Sequence, residues 1–302
     1  MSHSGMIPPI KAQQSQATST IAILMIVATG VLLAGMDATA KYLAINMPVL
    51  LVLWGRYFFH TSVTFFVYAA KRRSFRFLYA DSPVLQLIRA ASLFGATGSL
   101  YVAITIMPLG DAAAIQFLAP VILTVISGVF LGEYVGLRRS LAVLVAFAGV
   151  LLVARPGYND IGWSALLPVM TAFLLAVYML MTRLIRSKDN SDTTTFYSTA
   201  VGAAVLTIIV PFYWQPLSFD EWSLMLTMGL AGAAGHYFLV KAFQSTEASF
   251  LAPFTYAQVV AAIAWGYLIF EDVPSLWTII GATLIIGSGI YVWYRETKLN
   301  ET

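Results

Sequence analysis

Residues 118–133 read LAPVILTVISGVFLGE, and residues 256–271 read YAQVVAAIAWGYLIFE. Each stretch is an apolar run that ends in a glutamate, and an apolar segment that contains glycine follows it. Gly149 and Gly287 come after the two terminal glutamates at the same spacing. All transmembrane helices look partly alike, but the shared glutamate and glycine favour an internal repeat of two halves.

The composition indicates that these apolar runs lie in a membrane. The chain is 59% hydrophobic and 10% charged, whereas soluble domains have about 45–50% apolar and about 25% charged residues. The apolar residues fall in blocks of about 18–25, which is long enough for a helix to cross about 30 Å of hydrocarbon. This pattern excludes a soluble enzyme and a nucleic-acid-binding protein. Because there is no cysteine, there is no disulfide framework, no thiolate metal site and no redox indication of the compartment.

The apolar blocks, separated by charged residues or by proline and glycine, predict ten spans. Five precede Pro156 and five follow it, and because five is odd the two halves enter the membrane from opposite sides. The sequence therefore predicts an all-α membrane protein with ten transmembrane helices in two inverted five-helix repeats, at 18–154 and 161–294. Such repeats are typical of alternating-access carriers, whose substrate site lies near mid-membrane between the halves. The predicted spans are 18–43, 48–70, 85–107, 110–131, 137–154, 161–183, 193–213, 222–244, 247–270 and 275–294.

The basic residues orient these spans. Fourteen of the 17 lysines and arginines fall on one side of the predicted membrane, Lys41 and Arg155 fall on the other, and Arg56 lies within a span. The positive-inside rule makes the first side cytoplasmic. The polar tail 1–17 lacks the features of a signal peptide, so we predict that it is retained. Both it and the tail 295–302 are predicted to be cytoplasmic, in a multi-pass protein of the cell inner membrane.

Local motifs in both halves resemble those of a known transporter family. They read MPLGDAAAIQFLAPV (107–121), LGE (131–133) and GVLLVARPG (149–157) in the first half, and ASFLAPFTYAQ (248–258) and FEDVP (270–274) in the second. With ten spans in 302 residues, the chain resembles the drug/metabolite transporter superfamily and its EamA family over nearly its whole length.

Two stretches resemble one branch of that family more closely. GMDATAKYLA (35–44) and APFTYAQ (252–258) are most similar to a bacterial branch that includes riboflavin and S-adenosylmethionine uptake carriers. Related EamA members export amino acids. The resemblance implies a secondary transporter of a small organic metabolite, with riboflavin uptake as the specific expectation and export of an amino acid or another metabolite as the alternative.

Charged residues at membrane depth are costly and usually face a cavity or a partner. Asp37 in the first span and Arg56 in the second lie at matching depths with opposite charges, which predicts a buried ion pair with a structural or a functional role. Lys41 lies one turn beyond Asp37 and is an alternative partner for it. Lys241, near the inner end of the eighth span, either contacts an anionic group or extends to the membrane interface.

Two histidines lie within predicted spans. His60 follows Arg56 by four residues, on the same helix face and closer to mid-membrane. An imidazole ionises near neutral pH, which suits a proton-coupled step. The alternative is that His60 is a hydrogen-bonded packing residue. His236 in the eighth span is its counterpart in the second half.

Aromatic rings and neutral amides are candidates to line a substrate cavity. Tyr101 and Tyr256 lie near mid-span, and Trp265 adds a third ring on which a planar substrate would stack. Aromatic residues nearer the span ends would instead belong to an interface belt. Gln116 and Gln258 are predicted to face inward, toward the substrate or another helix, because an amide that faces lipid is costly.

Two substrate classes remain open on these residues. A cavity with aromatic surfaces, neutral amides and few fixed charges suits an uncharged heteroaromatic metabolite such as riboflavin. An amino acid would need opposite charges for its ammonium and carboxylate groups. Asp37 or Glu247 and Arg56 or Lys241 are the candidates for that role.

The remaining signals concern helix breaks and other classes of protein. Pro120 and Pro253 fall within predicted spans and would kink them, and breaks in corresponding spans of two repeats point to a binding site. An intramembrane enzyme would need a nucleophile with its base, or a set of metal ligands, and no such motif is present. Without a phosphate-binding loop, transport driven by ATP is not expected. We therefore predict no enzymatic activity, cofactor or metal, a small-molecule substrate, contact with the lipid bilayer but not with nucleic acid, and a monomer or homodimer.

Overall fold

The computed structural model describes residues 10–72, 75–131, 137–155, 162–185, 188–245 and 251–300, and within these ranges every regular element is helical. Short 3₁₀ turns lie at Arg76–Leu78, Gly162–Ala165, Val210–Tyr213 and Ala252–Tyr256. The α-helices are α1 Ile10–Leu43, α2 Val49–Arg72, α3 Pro83–Ile106, α4 Leu109–Gln116, α5 Ala119–Leu131, α6 Leu137–Ala154, α7 Leu166–Ile185, α8 Ser191–Ile209, α9 Phe219–Ser245, α10 Ala257–Phe270 and α11 Leu276–Asn300.

Most of these helices are membrane spans by length and composition. In the described part of the chain, 7 helical stretches are long and apolar enough to cross a membrane, and one of them, Leu109–Ser127, includes α4 and most of α5. Shorter apolar helices lie at Leu141–Ala154, Phe254–Phe270 and Leu276–Tyr291. The chain is therefore an all-helical, multi-pass membrane protein, as the apolar blocks predict. The number of ten spans and the inverted repeat stay predictions.

The fourth predicted span is two helices rather than one. α4 ends at Gln116 and α5 begins at Ala119, so the turn at 117–118 comes just before Ala119 and Pro120, the first two residues of α5. A proline inside a helix removes a backbone N–H and clashes with the preceding turn, which explains the break. In the second half, the 3₁₀ turn Ala252–Tyr256 contains Pro253 and comes before α10. Pro120 thus lies at an interruption of helical structure, and Pro253 lies in a 3₁₀ turn that leads into a helix.

Glycines let the helices approach closely at two crossings. A Cβ on Gly30 of α1 would lie 2.8 Å from the backbone nitrogen of Gln258 in α10. A Cβ on Gly149 of α6 would lie 2.8 Å from the carbonyl oxygen of Gly281 in α11, and a Cβ on Gly281 would meet Gly149 in the same way at 2.6 Å. Because larger side chains do not fit there, backbone lies against backbone, as is common between membrane helices.

The connections between helices gather at two ends of the bundle. The backbone nitrogen of Asp81 donates to Oδ1 of Asp189 at 2.6 Å, so segments 75–82 and 188–190 lie together at what we call the basic end. At the opposite end, Nε2 of Gln215 donates to the carbonyl oxygen of Asn46 at 3.2 Å. The basic end is the one that the charge pattern predicts to be cytoplasmic.

A buried arginine ties three helices together near the basic end. Arg89 of α3 is only 4% exposed, although the charge pattern counts it with the cytoplasmic residues. It donates to Thr182 and Tyr178 of α7 at 2.6 and 2.7 Å, and to Ser198 of α8 at 2.8 Å. These charge-assisted hydrogen bonds offset the cost of burying the guanidinium. The hydroxyl of Tyr178 therefore helps to hold α3 against α7 by accepting a hydrogen bond from Arg89.

Candidate functional site

A cavity of about 860 Å³ lies between α2, the start of α8 and α9. Its volume is within the range of about 300–1,000 Å³ that is usual for ligand pockets. The cavity extends from the basic end, where Asn190 and Gln244 line it, to mid-membrane, where His60 lines it near the middle of α2. The polar and aromatic residues of the lining are His60, Thr64, Tyr68, Asn190, Ser191, Asp192, Thr195, His236, Tyr237, Phe238, Lys241 and Gln244.

The two membrane histidines meet in the wall of this cavity. The ring centroids of His60 and His236 are 5.2 Å apart, and the rings are tilted by 47°. Glycines of α9 make the approach possible, because a Cβ on Gly232 would lie 2.8 Å from Nδ1 of His60. Neither imidazole makes a hydrogen bond to any residue in the described ranges, so the alternative role of His60 as a hydrogen-bonded packing residue has no support there.

Lys241 lies on the same wall as His236. Its Nζ is 5.9 Å from the ring centroid of Tyr237, and both side chains line the cavity. Asp192, in the first turn of α8, supplies a negative charge to the lining. The cavity therefore offers two histidines and a lysine on α2 and α9, and a carboxylate on α8.

Asp37 and Arg56 lie together in the packed interior. Nη1 of Arg56 is 3.7 Å from Oδ1 of Asp37, and their side chains are 13% and 7% exposed. The guanidinium also lies 5.2 Å from the ring centroid of Tyr101 and 5.8 Å from that of Tyr57. Tyrosine rings attract a desolvated cation, so the arginine is held by one carboxylate and two ring faces. Tyr101, predicted to stack on a substrate, here stacks on Arg56.

Lys41 does not compete for Asp37, and that alternative is wrong. Its Nζ lies 2.8 Å from Oδ2 of Asp272 at the opposite end of the bundle. The same ammonium donates to the carbonyl oxygen of Met107 at 3.2 Å and lies 4.7 Å from the ring centroid of Phe270. Oδ2 of Asp272 also accepts from the backbone nitrogen of Leu109 at 3.4 Å. One ion pair thus joins α1, the start of α4 and the segment between α10 and α11.

Of the other predicted aromatic residues, Tyr256 ends the 3₁₀ turn before α10, and Trp265 lies within α10. The ring of Tyr256 is 5.3 Å from that of Phe117, so the 3₁₀ turn before α10 lies against the turn between α4 and α5. The hydroxyl of Tyr256 fills the space beside Gly289, which has no room for a Cβ. Nε1 of Trp265 donates to the carbonyl oxygen of Val31 at 3.3 Å.

The predicted amides lie near the same breaks. Gln116 is the last residue of α4 and is 7% exposed. Gln258 is half-buried in the first turn of α10, where its backbone packs against Gly30. Neither amide, nor Tyr101, Tyr256 or Trp265, is in the lining of the cavity, which contains His60, His236 and Lys241 from the predicted set. Glu247, an alternative charge for an amino-acid substrate, lies outside the described residues.

Several lining residues escape the sequence analysis. Thr64 and Tyr68 follow His60 at intervals of four, and Gln244 follows His236 by eight. Residues four apart share one face of a helix, so a polar stripe continuing from each histidine toward the basic end is the signal that identifies them. No comparable signal identifies Asp192. It lies in the polar sequence at the start of α8, which resembles an ordinary loop between two helices.

Most of the chain matches a family of transporters. Residues 20–155 and 162–294 match the profile of the EamA-like transporter family. The S-adenosylmethionine uptake transporter of Rickettsia conorii is 28% identical over 264 residues, which are 87% of this chain and 88% of that protein. The riboflavin transporter of Vibrio cholerae is 32% identical over 202 residues, 64% of this chain and 65% of that one. The pseudopaline exporter of Pseudomonas aeruginosa is 27% identical over 283 residues, 87% and 95% of the two chains.

A solved crystal structure shares this fold. It superimposes with a TM-score of 0.62 at 17% identity, over 92% of this chain and 99% of that one. At this identity the likeness concerns the helical architecture.

Proposed function

Because the chain belongs to the EamA-like transporter family, we propose that it is a secondary transporter that carries a small organic metabolite across the bacterial inner membrane by alternating access. The observation that carries this proposal is the cavity of about 860 Å³ that extends from the basic end to mid-membrane. A substrate site near mid-membrane, reached from one side at a time, is the usual design of carriers built from repeats. No ATP-binding loop is present in the sequence, so the driving force is a substrate or ion gradient.

The ion pair at the opposite end supports the same mechanism. Lys41 and Asp272 come from the two different halves, and their contact also holds the start of α4. Contacts of this kind close one entrance while the other is open. We propose that this pair closes the opposite end in the state seen here, with the cavity open to the basic end.

The two matched stretches support the predicted repeat. The family profile matches once on each side of a gap at 156–161, which is the boundary that the sequence predicts. The fourth predicted span is interrupted before Pro120, and the ninth contains a 3₁₀ turn at Pro253. The contact of Phe117 with Tyr256 joins these two places. We therefore propose two inverted halves of five spans, at 18–154 and 161–294.

Riboflavin is the first substrate to test. The cavity has the rings of Tyr68 and Tyr237 on which a planar heterocycle can stack, and amides at Asn190 and Gln244 that can bind its polar edge. The likeness to a riboflavin transporter supports this choice. An amino acid or an amino-acid derivative is the alternative, because Lys241 and Asp192 offer the two opposite charges that such a molecule needs; the likeness to an S-adenosylmethionine uptake transporter supports it.

Flux through the purified protein in liposomes tests the proposal. Saturable uptake of labelled riboflavin, and faster uptake when unlabelled riboflavin is loaded inside, are expected of a carrier. Growth of a riboflavin-auxotrophic host at limiting riboflavin tests the same substrate in cells. If riboflavin gives neither result but labelled amino acids or S-adenosylmethionine exchange across the liposome membrane, the carrier is correct and the substrate is the alternative one. No flux for any of them contradicts the proposed function.

Mutation of the cavity tyrosines separates the two substrates. Tyr68→Ala and Tyr237→Ala are each expected to weaken binding of a stacked flavin by about 1 kcal/mol, which is roughly a fivefold rise in the half-saturating concentration. Tyr213→Ala, at the exposed opposite end, is the control. An amino-acid carrier should instead be sensitive to Lys241→Gln and tolerate both tyrosine changes.

Reporter fusions test the orientation. Fusions after residue 80 or residue 188 are expected to report a cytoplasmic location, and fusions near residue 157 or residue 218 a periplasmic one, because of the charge asymmetry between the two sides. A periplasmic signal after residue 188 would show that the order of spans is wrong.

A further inference from the structure

The histidine pair joins the two halves of the protein at mid-membrane. His60 belongs to α2 in the first half, and His236 belongs to α9 in the second half. Their ring centroids are 5.2 Å apart. The two helices that carry these rings must move relative to each other if the halves alternate. A proton bound to either ring therefore changes the electrostatic interaction between the two halves.

The imidazole nitrogens are available to a proton. His60 is 3% exposed and His236 is half-buried, and both belong to the lining of the cavity. In the part of the chain that the structure describes, neither nitrogen pair is used in a hydrogen bond. The rings of His60 and His236 contact each other, and no hydrogen-bond partner among the described residues fixes either imidazole in one protonation state.

We propose that His60 and His236 are the proton-binding site that couples transport to a proton gradient. The inference rests on the proposed carrier function, and it adds the coupling ion and the residues that bind it. A proton moves from water in the cavity to the lone pair of one imidazole nitrogen, and the same proton returns to water when the pair faces the other side. One proton is carried in each cycle, and no bond other than N–H forms or breaks.

Charge repulsion links this proton to the conformation. Two imidazolium charges at this separation repel each other, and the guanidinium of Arg56, one turn before His60, adds to the repulsion. Close contact of the rings therefore disfavours a second proton on the pair, and separation of the rings removes that cost. Movement of α2 relative to α9 then changes the number of bound protons, and a proton gradient in turn favours one arrangement of the two helices.

The other ionisable groups around the pair set the field that it experiences. These groups belong to five helices. They are Asp37 on α1, Arg56 and Tyr68 on α2, Arg89 on α3, Asp192 on α8, and Tyr237 and Lys241 on α9. Arg56 is paired with Asp37 and Arg89 is bound by hydroxyl groups. Neither position is replaced in the test, because both arginines hold the bundle together.

Proton binding is measured directly by NMR. The sequence has 3 histidines, so in a His3→Gln variant the side-chain signals of ¹⁵N-histidine-labelled protein come from His60 and His236 alone. In lipid nanodiscs we expect two titration steps separated by about one pH unit or more, which is the behaviour of coupled sites. Adding His236→Gln should leave a single step with a shifted midpoint. Independent titration, with His60 unchanged by the loss of His236, would overturn the proposal.

Flux measurements then test the coupling itself. In liposomes, with riboflavin as the first probe and labelled amino acids or S-adenosylmethionine as the next, an imposed pH gradient is expected to drive accumulation by the unmodified protein. His60→Gln and His236→Gln should lose this accumulation but retain exchange of labelled for unlabelled substrate at a measurable rate. Ser62→Ala, on the same helix but outside the cavity lining, is the matched control and should keep the response to the gradient.

The outcomes are distinguishable from a failure of the carrier function. Exchange without any effect of a pH gradient in the unmodified protein would contradict the coupling and leave the carrier intact. Absence of exchange for every probe contradicts the carrier and, with it, the coupling. Retention of gradient-driven accumulation in either histidine variant would remove that histidine from the site.

Discussion

Neutralising either Asp37 or Arg56 alone is expected to reduce the amount of folded transporter sharply. Each change leaves the opposite charge buried without its partner, and breaking a buried pair in this way costs about 3–5 kcal/mol. The exposures of 13% and 7% leave little water to compensate for the lost charge. Asp37→Asn with Arg56→Gln should recover expression at least in part, because neither charge is then stranded.

This effect is measured by thermal unfolding of detergent-purified variants. The loss of the monodisperse size-exclusion peak with temperature reports the unfolding. Lys188→Gln, which removes an exposed charge at the basic end, is the control and should unfold like the unmodified protein. Additive losses in the double variant would show that Asp37 and Arg56 do not interact energetically. Flux through the double variant then separates a structural pair from a functional one: a stable protein without transport assigns the pair to the mechanism.

Breaking the ion pair at the opposite end is expected to open that entrance. In Asp272→Asn, the ammonium of Lys41 loses its carboxylate, and the backbone nitrogen of Leu109 loses its charged acceptor. Hydrogen bonds to charged groups contribute about 1.5–3 kcal/mol, so the ratio of closed to open entrances should fall by about 10-fold or more. Net transport should fall as well, because a carrier that no longer closes one side cannot complete its cycle.

Thiol labelling measures this opening, because the natural chain has no cysteine. Leu109 lies beside the ion pair and is 2% exposed. The Leu109→Cys variant serves as the background, and it is treated with a membrane-impermeant maleimide. Labelling should be slow in this background and at least several-fold faster after Asp272→Asn is added. The exchange of charges, Lys41→Asp with Asp272→Lys, should restore slow labelling in part: the ion pair re-forms, but a lysine at position 272 cannot accept from the backbone nitrogen of Leu109. Equal labelling rates with and without Asp272 would contradict a closing role for the pair.

The helices follow closely from the sequence, whereas one predicted span does not. The ends of α2, α6 and α9 fall within a few residues of the predicted spans 48–70, 137–154 and 222–244. The apolar run 110–131 is continuous in hydropathy but is broken between α4 and α5, because Pro120 interrupts backbone hydrogen bonding that hydropathy does not measure. The proline signal, rather than the apolar run, predicts the break.

The candidate site follows from the sequence only in part. Ionisable residues at membrane depth identify His60, His236 and Lys241, and all three line the cavity. Hydropathy and position alone cannot tell Tyr101 from Tyr237. Tyr101 is 1% exposed and stacks on Arg56, whereas Tyr237 belongs to the cavity wall. The difference is the rotation of each helix about its own axis, which depends on the neighbours against which it packs.

The sequence by itself determined that this chain is a helical membrane protein of the transporter type, because hydropathy, charge asymmetry and family motifs are properties of short stretches of chain. The tertiary structure alone decided which distant residues meet. Lys41 pairs with Asp272, 231 residues away, and His60 faces His236 because Gly232 lets α2 and α9 approach. Such pairs depend on the crossing and rotation of whole helices, and these are set by close packing among many side chains rather than by any local pattern.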